Sequence, residues 1–362
     1  MPSLFKTLLI ILSIIIFSIK SFSQQSIVKG SVGQLSKINQ DTITIIGVGD
    51  MMLGTQYPDK SYLSPDDGES LLSPVYSILR DADVTFGNLE GGFLNAKGTP
   101  KKCKDSTVCY AFRMPEHYVK HFTAAGFDAL SIANNHVGDF GEAGRKRTAQ
   151  ILDSVKINYT GQITCPFDTF TVNGTKFGFC SFSPNNNTLQ ITDSIGAAAL
   201  VKKLDNWCDI VIVSFHGGAE GASRRNVPKK HEMFYGEDRG DVHMFAHCVI
   251  DAGADVVFGH GPHVTRAVEI YKNRFIAYSL GNFCTYGMFN LKGISGVAPL
   301  IKVYTTKKGE FLFAKIISTK QIGKGGTVLD PENKAYNEVM TLTKQDFPNN
   351  NIKWGADGVI TK

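Results

Sequence analysis

The chain has 362 residues, of which 43% are hydrophobic and 20% are charged. This length and balance predict a globular protein with a large buried core and exclude an intrinsically disordered chain. The formal net charge is +5, and Lys6 and Lys20 contribute two of these charges within a segment that we expect to be removed. The remaining charge is too small to favour nucleic acid as a partner.

Residues 1–23 have the pattern of a secretory signal. Lys6 precedes an apolar run over residues 8–19, and small residues lead up to Ser23. This order predicts cleavage after Ser23 and an exported protein, located in the periplasm, at the cell surface or outside the cell. The run is shorter than the roughly 20 residues of a membrane span, and the protein would be membrane-anchored if the signal is not cleaved. The polar residues 24–41 predict a linker.

The seven cysteines do not form a zinc-binding pattern, because the sequence contains no Cys-x-x-Cys pair. Export permits disulfides, and Cys103 and Cys109 bracket a polar loop that such a bond would close as a hairpin. Others lie in or beside apolar runs and predict small buried core residues. These are Cys180, Cys208, Cys248 and Cys284.

From residue 42 onward, strand-like and helix-like patterns alternate, which predicts an α/β class with a mixed sheet. The β-branched stretch 42–49 predicts the first strand. Asn173-Gly174 joins two strand-like runs and predicts a β-hairpin. The predicted strands are 42–49, 83–86, 129–132, 169–172, 176–182, 209–215, 255–259, 268–271 and 275–279. The predicted helices are 71–80, 115–125, 145–152, 197–204 and 245–252.

Two units are predicted after the linker. Residues 42–290 contain the alternating pattern and predict one α/β domain. Residues 291–362 predict a β-rich C-terminal extension and tail, because residues 300–319 alternate in strand fashion and the remainder is polar and weakly patterned.

Chemically reactive side chains follow five of the predicted strands. In open α/β sheets ligands bind beyond the carboxyl ends of the strands, so we expect these side chains to converge. Carboxylates, imidazoles and a carboxamide oxygen suit a divalent cation such as Mn, Fe, Zn or Mg. A carboxylate that bridges two such ions would form a two-metal site that activates water. The five positions are Asp50, Asn88 with Glu90, Asn135 with His136, His216, and His260 with His263.

Each residue also has a simpler interpretation. A histidine at a strand end is commonly a hydrogen-bonded structural residue, Asp50 fits a helix cap or turn, and Glu90 fits a solvated loop. The paired asparagines 134–135 are ordinary turn residues. His243 and His247 lie in helical or polar stretches and are interpreted as structural or surface residues. The metal hypothesis depends on the recurrence of the pattern at five strand ends.

Six motifs in a fixed order carry a family resemblance. They are Gly49-Asp50-Met51-Met52-Leu53-Gly54, Asn88-Leu89-Glu90, Ala133-Asn134-Asn135-His136 with Asp139, His216-Gly217-Gly218-Ala219-Glu220, Gly259-His260-Gly261-Pro262-His263 and Tyr278-Ser279-Leu280-Gly281-Asn282-Phe283. In this order they resemble the calcineurin-like metallophosphoesterases and, within them, the CapA family of capsule or poly-γ-glutamate synthesis proteins. The resemblance covers residues 43–283. It implies a four-layer α/β/β/α sandwich with mixed sheets, a site at the strand ends, and one or two divalent metal ions.

The resemblance also implies roles for single residues. The implied metal ligands are Asp50, Asn135, His216, His260 and His263, with Glu90 in the place of a bridging aspartate. His136 would stabilise or protonate a leaving oxygen beside the substrate, and Asp139 would orient it. Further side chains are predicted to line the cleft and bind an anionic substrate. These are Asn88, Asn134, Glu220, Arg224, Arg225 and Asn282.

Two departures from the broader superfamily pattern concern the metal ligands. The position two residues after Asp50, usually histidine, is Met52, which is a poor ligand for hard cations. His260 and His263 are separated by two residues, where one is usual. These departures predict that one metal position is short of ligands.

Three functions follow from the sequence. The first is an exported metal-dependent hydrolase that acts on a phosphoester or on an amide of an anionic polymer. The second is a non-catalytic accessory protein for making, exporting or anchoring a poly-γ-glutamate-like polymer, together with other cell-envelope polymer-synthesis proteins. The third is a binding module that keeps the metal site only as a scaffold. The nearly complete ligand set disfavours the third, and Met52 keeps the second open.

Overall fold

The computed structural model describes residues 42–102 and 109–362 of the chain. The predicted signal at residues 1–23, the predicted linker at 24–41 and the Cys103 end of the predicted hairpin lie outside the described residues. Cys109, at the other end of that hairpin, is disulfide-bonded. Within the described ranges, no helix has the length and apolar character needed to cross a membrane.

Strands and helices follow one another along most of the described chain. In chain order the strands are β1 (Thr42–Met52), β2 (Val84–Leu89), β3 (Gly92–Phe93), β4 (Arg113–Met114), β5 (Ala129–Ser131), β6 (Asn158–Thr160), β7 (Asp168–Val172), β8 (Thr175–Phe182), β9 (Ile210–His216), β10 (Met233–Phe234), β11 (Glu237–Asp238), β12 (Val256–His260), β13 (Val268–Tyr271), β14 (Arg274–Ala277), β15 (Asn282–Thr285), β16 (Val297–Thr306), β17 (Phe311–Gln321), β18 (Thr327–Leu329), β19 (Lys353–Trp354) and β20 (Val359–Thr361). The α-helices are α1 (Glu69–Leu72), α2 (Tyr76–Leu79), α3 (Val119–Ala125), α4 (Gly141–Val155), α5 (Ser194–Asp205), α6 (Val242–Asp251) and α7 (Lys334–Asp346).

β1 is a central strand of the larger sheet. Its first residues are mostly β-branched, which favours extended backbone. On one side β1 pairs in parallel with β2. On the other side it pairs antiparallel with β16, where Thr42 lies opposite Thr306, and then in parallel with β15, where Asp50 lies opposite Asn282. The strand order is β19-β20-β17-β16-β1-β2-β5-β6, with β15 beside β1 and β18 beside β17.

The smaller sheet has the strand order β13-β14-β12-β9-β8-β7. Its inner strands β8, β9, β12 and β14 are parallel, while the outermost strands β7 and β13 are antiparallel to their neighbours. Parallel strands covered on both faces are apolar along their whole length, as the sequence of β9 is. The hairpin predicted at Asn173-Gly174 joins β7 to β8. Both turn residues have positive φ angles, as this tight turn requires.

The two sheets face each other across a shared apolar core. Ile45 and Phe86 of the larger sheet pack there with Phe179 and Phe258 of the smaller sheet. The rings of Phe86 and Phe258 are stacked with their centroids 5.4 Å apart. Full burial of one such side chain stabilises the fold by roughly 1.5–3 kcal/mol. This core therefore fixes one sheet against the other.

Helices cover the outer face of each sheet. α3 and α4 pack on the larger sheet through Phe122 and Leu152, and α5 and α6 pack on the smaller sheet through Val201 and Phe245. The order helix, sheet, sheet, helix confirms the predicted four-layer α/β/β/α sandwich with mixed sheets.

The predicted helix at residues 71–80 is divided in the structure. α1 and α2 are separated by a 3-10 turn over Ser73–Val75. Pro74 lies inside this turn, and it both lacks a backbone N–H and clashes with a preceding carbonyl in a helix interior. The apolar periodicity of the segment survives the break, because Leu72 and Leu79 are both fully buried.

The predicted boundary at residue 290 falls between β15 and β16, two strands of the larger sheet that both pair with β1. Residues 42–362 form one compact unit. The segment beyond residue 330, interpreted from the sequence as a weakly patterned tail, contains α7, whose Tyr336, Val339 and Leu342 are buried. The polar residues between these positions conceal the helical spacing.

Candidate functional site

Strand ends from both sheets meet at one place. On the larger sheet Asp50 of β1 lies beside Asn88 of β2, and Glu90 follows directly after β2. On the smaller sheet His216 at the end of β9 lies beside His260 at the end of β12. Parallel pairing brings the carboxyl ends of neighbouring strands to the same edge, and the packing of the two sheets then brings the edges together.

Asp50 is a fully buried carboxylate among histidines. Its Oδ1 lies 3.2 Å from His260 Nδ1, and its Oδ2 accepts a 3.0 Å hydrogen bond from His263 Nδ1. Burial raises the pKa of Asp50, but the two imidazoles beside it outweigh that effect and hold the pKa well below its ordinary value. Asp50 is therefore ionised and able to ligate a cation.

The backbone around Asp50 leaves no room for a larger residue before it. A Cβ atom on Gly49 would lie 2.0 Å from the carbonyl oxygen of Gly281. The N–H of Asp50 donates to the same carbonyl at 2.8 Å. His263, which faces Asp50, has a φ of +57°, a left-handed conformation that costs a non-glycine residue free energy and is common at functional sites.

Asn88 separates two buried carboxylates. Its Nδ2 donates to Asp50 Oδ1 at 2.8 Å and to Glu90 Oε2 at 2.7 Å. Asn134 Nδ2 donates to Asn88 Oδ1 at 3.1 Å, which fixes the direction of the Asn88 amide. Burial and then the negative charge of Asp50 raise the pKa of Glu90 well above its ordinary value. A cation placed between the two carboxylates would lower it again.

The donor set fits a divalent cation. Asp50, Glu90 and His216 each offer a ligand atom, and these atoms lie within 4.8 Å of one another. Glu90 Oε1, Asn135 Oδ1 and His216 Nδ1 are buried and make no hydrogen bond within the described part of the chain. Buried polar atoms without partners are costly, and a bound cation would satisfy them. These are three of the predicted ligands.

His263 favours its protonated form. Burial lowers its pKa, but the hydrogen bond to Asp50 and the charge of Glu90 raise it to about 10. Asn282 Oδ1 also lies 3.1 Å from His263 Nδ1, and Asn282 Nδ2 donates to the His263 carbonyl. Asn282 thus orients His263. A cation that binds His263 Nδ1 has to displace the proton from that nitrogen.

Three neighbours hold the buried His136 ring in place. Its Nδ1 donates to Asp139 Oδ2 at 2.8 Å, and its ring stacks on Phe112 with centroids 4.1 Å apart. Lys101 pairs with the other oxygen of Asp139 at 2.6 Å. Burial, offset in part by Asp139 and reinforced by Lys101, lowers the pKa of His136. With Nδ1 occupied by the hydrogen bond to Asp139, Nε2 is the nitrogen available for proton exchange.

Arg239 is a site residue that the sequence analysis did not identify. Its side chain is 2% exposed, Nη2 lies 3.3 Å from His216 Nε2, and Nη1 lies 3.1 Å from Glu220 Oε1. A guanidinium only donates hydrogen bonds, so His216 Nε2 accepts and the proton of the neutral ring is on Nδ1. Burial and the positive charge of Arg239 lower the pKa of His216 well below its ordinary value.

The remaining predicted residues divide between the site and the surface. Glu220 lies at the site through Arg239, and the loop that carries it is fastened by a buried pair in which Arg266 contacts Glu232 at 2.7 Å. Arg225 instead pairs with Glu338 of α7 at 3.0 Å. Arg224 is exposed in a 3-10 turn. The structure does not bring these two arginines to the strand-end cluster.

Met52 packs away from the ligand atoms. It is fully buried in the core between the larger sheet and its helices. Its sulfur accepts a hydrogen bond from the Gly54 N–H at 3.3 Å. This environment explains how a thioether is tolerated at that position without acting as a ligand.

Comparisons with known proteins identify related sequences. A family model described as bacterial capsule synthesis protein PGA_cap matches residues 44–286. The capsule biosynthesis protein CapA of Bacillus anthracis is 25% identical over 272 residues, covering 70% of this chain and 62% of that protein. The PGA biosynthesis protein CapA of Bacillus subtilis (strain 168) is 28% identical over 272 residues, covering 70% and 66%. The chain spans just under two thirds of the length of both relatives.

Among solved structures, the 5'-nucleotidase precursor from Thermus thermophilus aligns with 84% of this chain and 59% of its own length. The sequence identity is 13% and the TM-score is 0.41.

Proposed function

Because the chain belongs to the family of bacterial capsule synthesis proteins, as its motifs predict, we propose that it acts in the synthesis or processing of a capsule or polyglutamate-like polymer. We further propose that it does so as a metal-dependent hydrolase at the cell envelope. The envelope location is supported by the CapA relatives and by the signal predicted at residues 1–23.

One observation carries the hydrolase proposal: buried ligand atoms converge without satisfying one another. Asp50, Glu90 and His216 present their ligand atoms within 4.8 Å of one another. Asn135 Oδ1, next in sequence to the Asn134 that contacts Asn88, is also buried without a hydrogen bond in the described chain. These residues, with His260 and His263, would hold one or two divalent ions. Such ions supply an activated water and neutralise negative charge that develops on substrate oxygens.

The residues beside the ligands supply proton transfer. His136 follows the ligand Asn135 directly in sequence, and Asp139 fixes its ring so that Nε2 is available to the substrate. In hydrolysis, a leaving oxygen needs a proton, and a protonated imidazole beside it can provide one. Phe112 covers one face of this ring and limits its rotation.

The proposed substrate is a phosphoester or an amide of an anionic polymer. Lys101, held beside His136 by Asp139, is 29% exposed at its side chain and offers a positive charge to an anionic substrate at this edge of the site. A poly-γ-glutamate-like chain carries a negative charge on every residue. The relatives' names agree with this substrate class.

A non-catalytic accessory role is the second candidate, and Arg239 is the observation that favours it. A metal ion on His216 Nδ1 would move the ring proton to Nε2, which then could not accept the hydrogen bond from Arg239. Arg239 therefore competes with metal binding at His216. If the Arg239 hydrogen bond to His216 persists and no metal binds, the cleft would bind an anionic polymer for export or anchoring without cleaving it.

Elemental analysis and hydrolysis assays separate the two candidates. We expect purified protein to contain Mn, Fe or Zn at the strand-end site, and Asp50→Ala combined with His263→Ala to remove the equivalents bound there. We expect His136→Ala to keep the metal while hydrolysis of an alkyl phosphate ester or of poly-γ-glutamate, whose leaving groups need a proton, falls by about 10²–10⁴-fold, the usual contribution of a general acid. His231→Ala, an exposed histidine paired with Asp238, is the matched control and should change neither quantity.

Three results would contradict parts of this proposal. Unchanged hydrolysis in His136→Ala would remove the proton-transfer role. A strand-end site that takes up no metal, even after reloading, would remove the hydrolase and leave polymer binding. Bound metal without hydrolysis of any of these substrates would favour the accessory role.

A further inference from the structure

A second group of potential metal ligands lies on α6 and β13, among residues that do not belong to the strand-end site. His243 and His247 are one helical turn apart on α6, so their side chains project from the same face of the helix. Glu269 of β13 faces them. One nitrogen from each histidine and one oxygen of Glu269 lie within 4.8 Å of one another.

Two contacts bring these three side chains together. His247 Nε2 lies 2.9 Å from Glu269 Oε2. The rings of His243 and His247 have their centroids 4.1 Å apart and are tilted by 42°. Nitrogen and oxygen ligands of a tetrahedral zinc ion, each about 2.0–2.1 Å from the metal, lie about 3.3 Å from one another. The ligand atoms of this group, which lie within 4.8 Å of one another, would move closer together around an ion.

Aromatic neighbours hold the three side chains in place. His247 stacks on Tyr271 with centroids 3.7 Å apart, and His243 lies parallel to the ring of Phe347 at 5.9 Å. Tyr278 Oη donates to Glu269 Oε2 at 2.7 Å and so fixes the carboxylate. Supporting contacts of this kind orient ligands in known metal sites and reduce the entropy lost on binding.

We propose that His243, His247 and Glu269 bind a zinc ion. Two imidazoles and one carboxylate suit zinc, whereas magnesium prefers an all-oxygen shell. Both histidines are half-buried, beside a surface cleft that Met244 and Asp251 also line, so a fourth position is open to water. The ion would fasten α6 to the β13–β14 hairpin.

Zinc bound to α6 would also restrain the segment that precedes this helix. Asp241 caps this helix by accepting from the Met244 N–H, and Arg239 lies two residues before the cap. Zinc on the first turns of α6 would hold that segment and thereby the guanidinium that contacts His216. The inference does not depend on hydrolysis by the strand-end site.

Zinc stoichiometry tests the proposal in the full-length protein. We expect Glu269→Gln and His243→Ala each to bind one zinc equivalent fewer than wild type, with residual affinity at this site reduced by about 100-fold or more. His231→Ala, which changes an exposed histidine elsewhere, should bind as wild type does. Asp50→Ala with His263→Ala should retain this equivalent, because it alters only the strand-end site.

Two further measurements, thermal unfolding and cobalt absorption, complement the zinc stoichiometry. Glu269→Gln can still accept the Tyr278 hydrogen bond, so a cooperative thermal unfolding transition in this variant shows that lost zinc is not lost folding. Cobalt substituted into wild type should give the visible absorption of a four-coordinate ion, and the same variants should abolish that part of the spectrum. Equal zinc binding by wild type, Glu269→Gln and His243→Ala would overturn the proposal.

Discussion

Asn88 shows how one amide allows two carboxylates to share a buried site. Each of its two N–H groups donates to a different carboxylate, one on Asp50 and one on Glu90. Its own oxygen accepts from Asn134, so the amide cannot reverse its orientation without losing all three hydrogen bonds. These two hydrogen bonds offset part of the repulsion between two carboxylates at low dielectric. Asn88 therefore preserves the ligand geometry before any cation binds.

The pKa of His263 predicts how metal-free protein responds to alkaline pH. The folded-state pKa is about 10, compared with an ordinary 6.5, because Asp50 and Glu90 favour the protonated ring. The stabilisation is fully present below pH 6.5 and is lost as the pH rises through 10. In chelator-treated protein we expect the free energy of unfolding to fall by an amount on the order of a few kcal/mol over this window, measured by urea titration.

Asp50→Asn is the control for this prediction. It removes the carboxylate that raises the His263 pKa and leaves lysine and tyrosine titration unchanged. The pH-dependent loss of stability should therefore shrink in the variant. Equal losses in both proteins would show that another group causes the pH dependence.

For single residues, the sequence located the side chains at the strand ends but did not predict the contacts between them. Asp50, Glu90 and His216 follow apolar strands, and parallel pairing brings such positions to one edge. Arg239 gave no comparable signal, because it lies in a loop whose path depends on packing between distant segments. The separation between His243 and His247 was a detectable helical spacing, but their partner Glu269 lies on another element.

Among the elements, α7 shows that a helix can be held by its partners rather than by its own sequence. Its buried Tyr336, Val339 and Leu342 are separated by polar residues that weaken the apolar pattern. The sequence predicted strands and helices well where apolar runs were continuous, as in β9. It failed where burial of a few residues on a mostly polar element decides the structure, which a local pattern does not reveal.

Leu342→Ala tests how strongly α7 is packed. Leu342 is 1% exposed and lies in a cluster with Phe347 and the inner face of α6. Removing its side chain should lower the free energy of unfolding by about 2–5 kcal/mol, the usual cost of a cavity in a packed core. Urea unfolding followed by circular dichroism measures this change.

Lys344→Ala, on the exposed face of the same helix, is the matched control and should change stability by less than about 0.5 kcal/mol. Similar small effects from both substitutions would mean that α7 contributes little to the fold.

For the whole molecule, the site exists only when both sheets are in place. Asp50 and Glu90 come from the larger sheet, and His216, His260 and His263 come from the smaller one or from the loop after it. The inter-sheet core is thus a condition for the ligand geometry. The sequence predicted the four layers through family resemblance, while apolar patterns alone indicated only the α/β class. Those patterns do not reveal which strands share a sheet.

The division predicted at residue 290 leads to the last test, a chain that ends at that residue. Truncation would remove β16, which pairs with β1 from Thr42 to Gly47, and would leave this half of the β1 edge without its partner. It would also remove Ile301, Val303 and Phe311 from the core between the sheets. Each of these buried side chains contributes roughly 1.5–3 kcal/mol, so their sum approaches the total stability of an ordinary domain.

We therefore expect the chain ending at residue 290 to aggregate or to lack a cooperative unfolding transition, although it contains all of residues 44–286 that match the family model. Size-exclusion chromatography and thermal unfolding, each compared with the full-length protein, measure the outcome. A monomeric truncated protein that unfolds cooperatively and still binds metal would show that the site-bearing strands fold alone. In that case the strands beyond residue 290 would be an addition to the family domain. We expect the opposite result, because β16 pairs with the central strand β1.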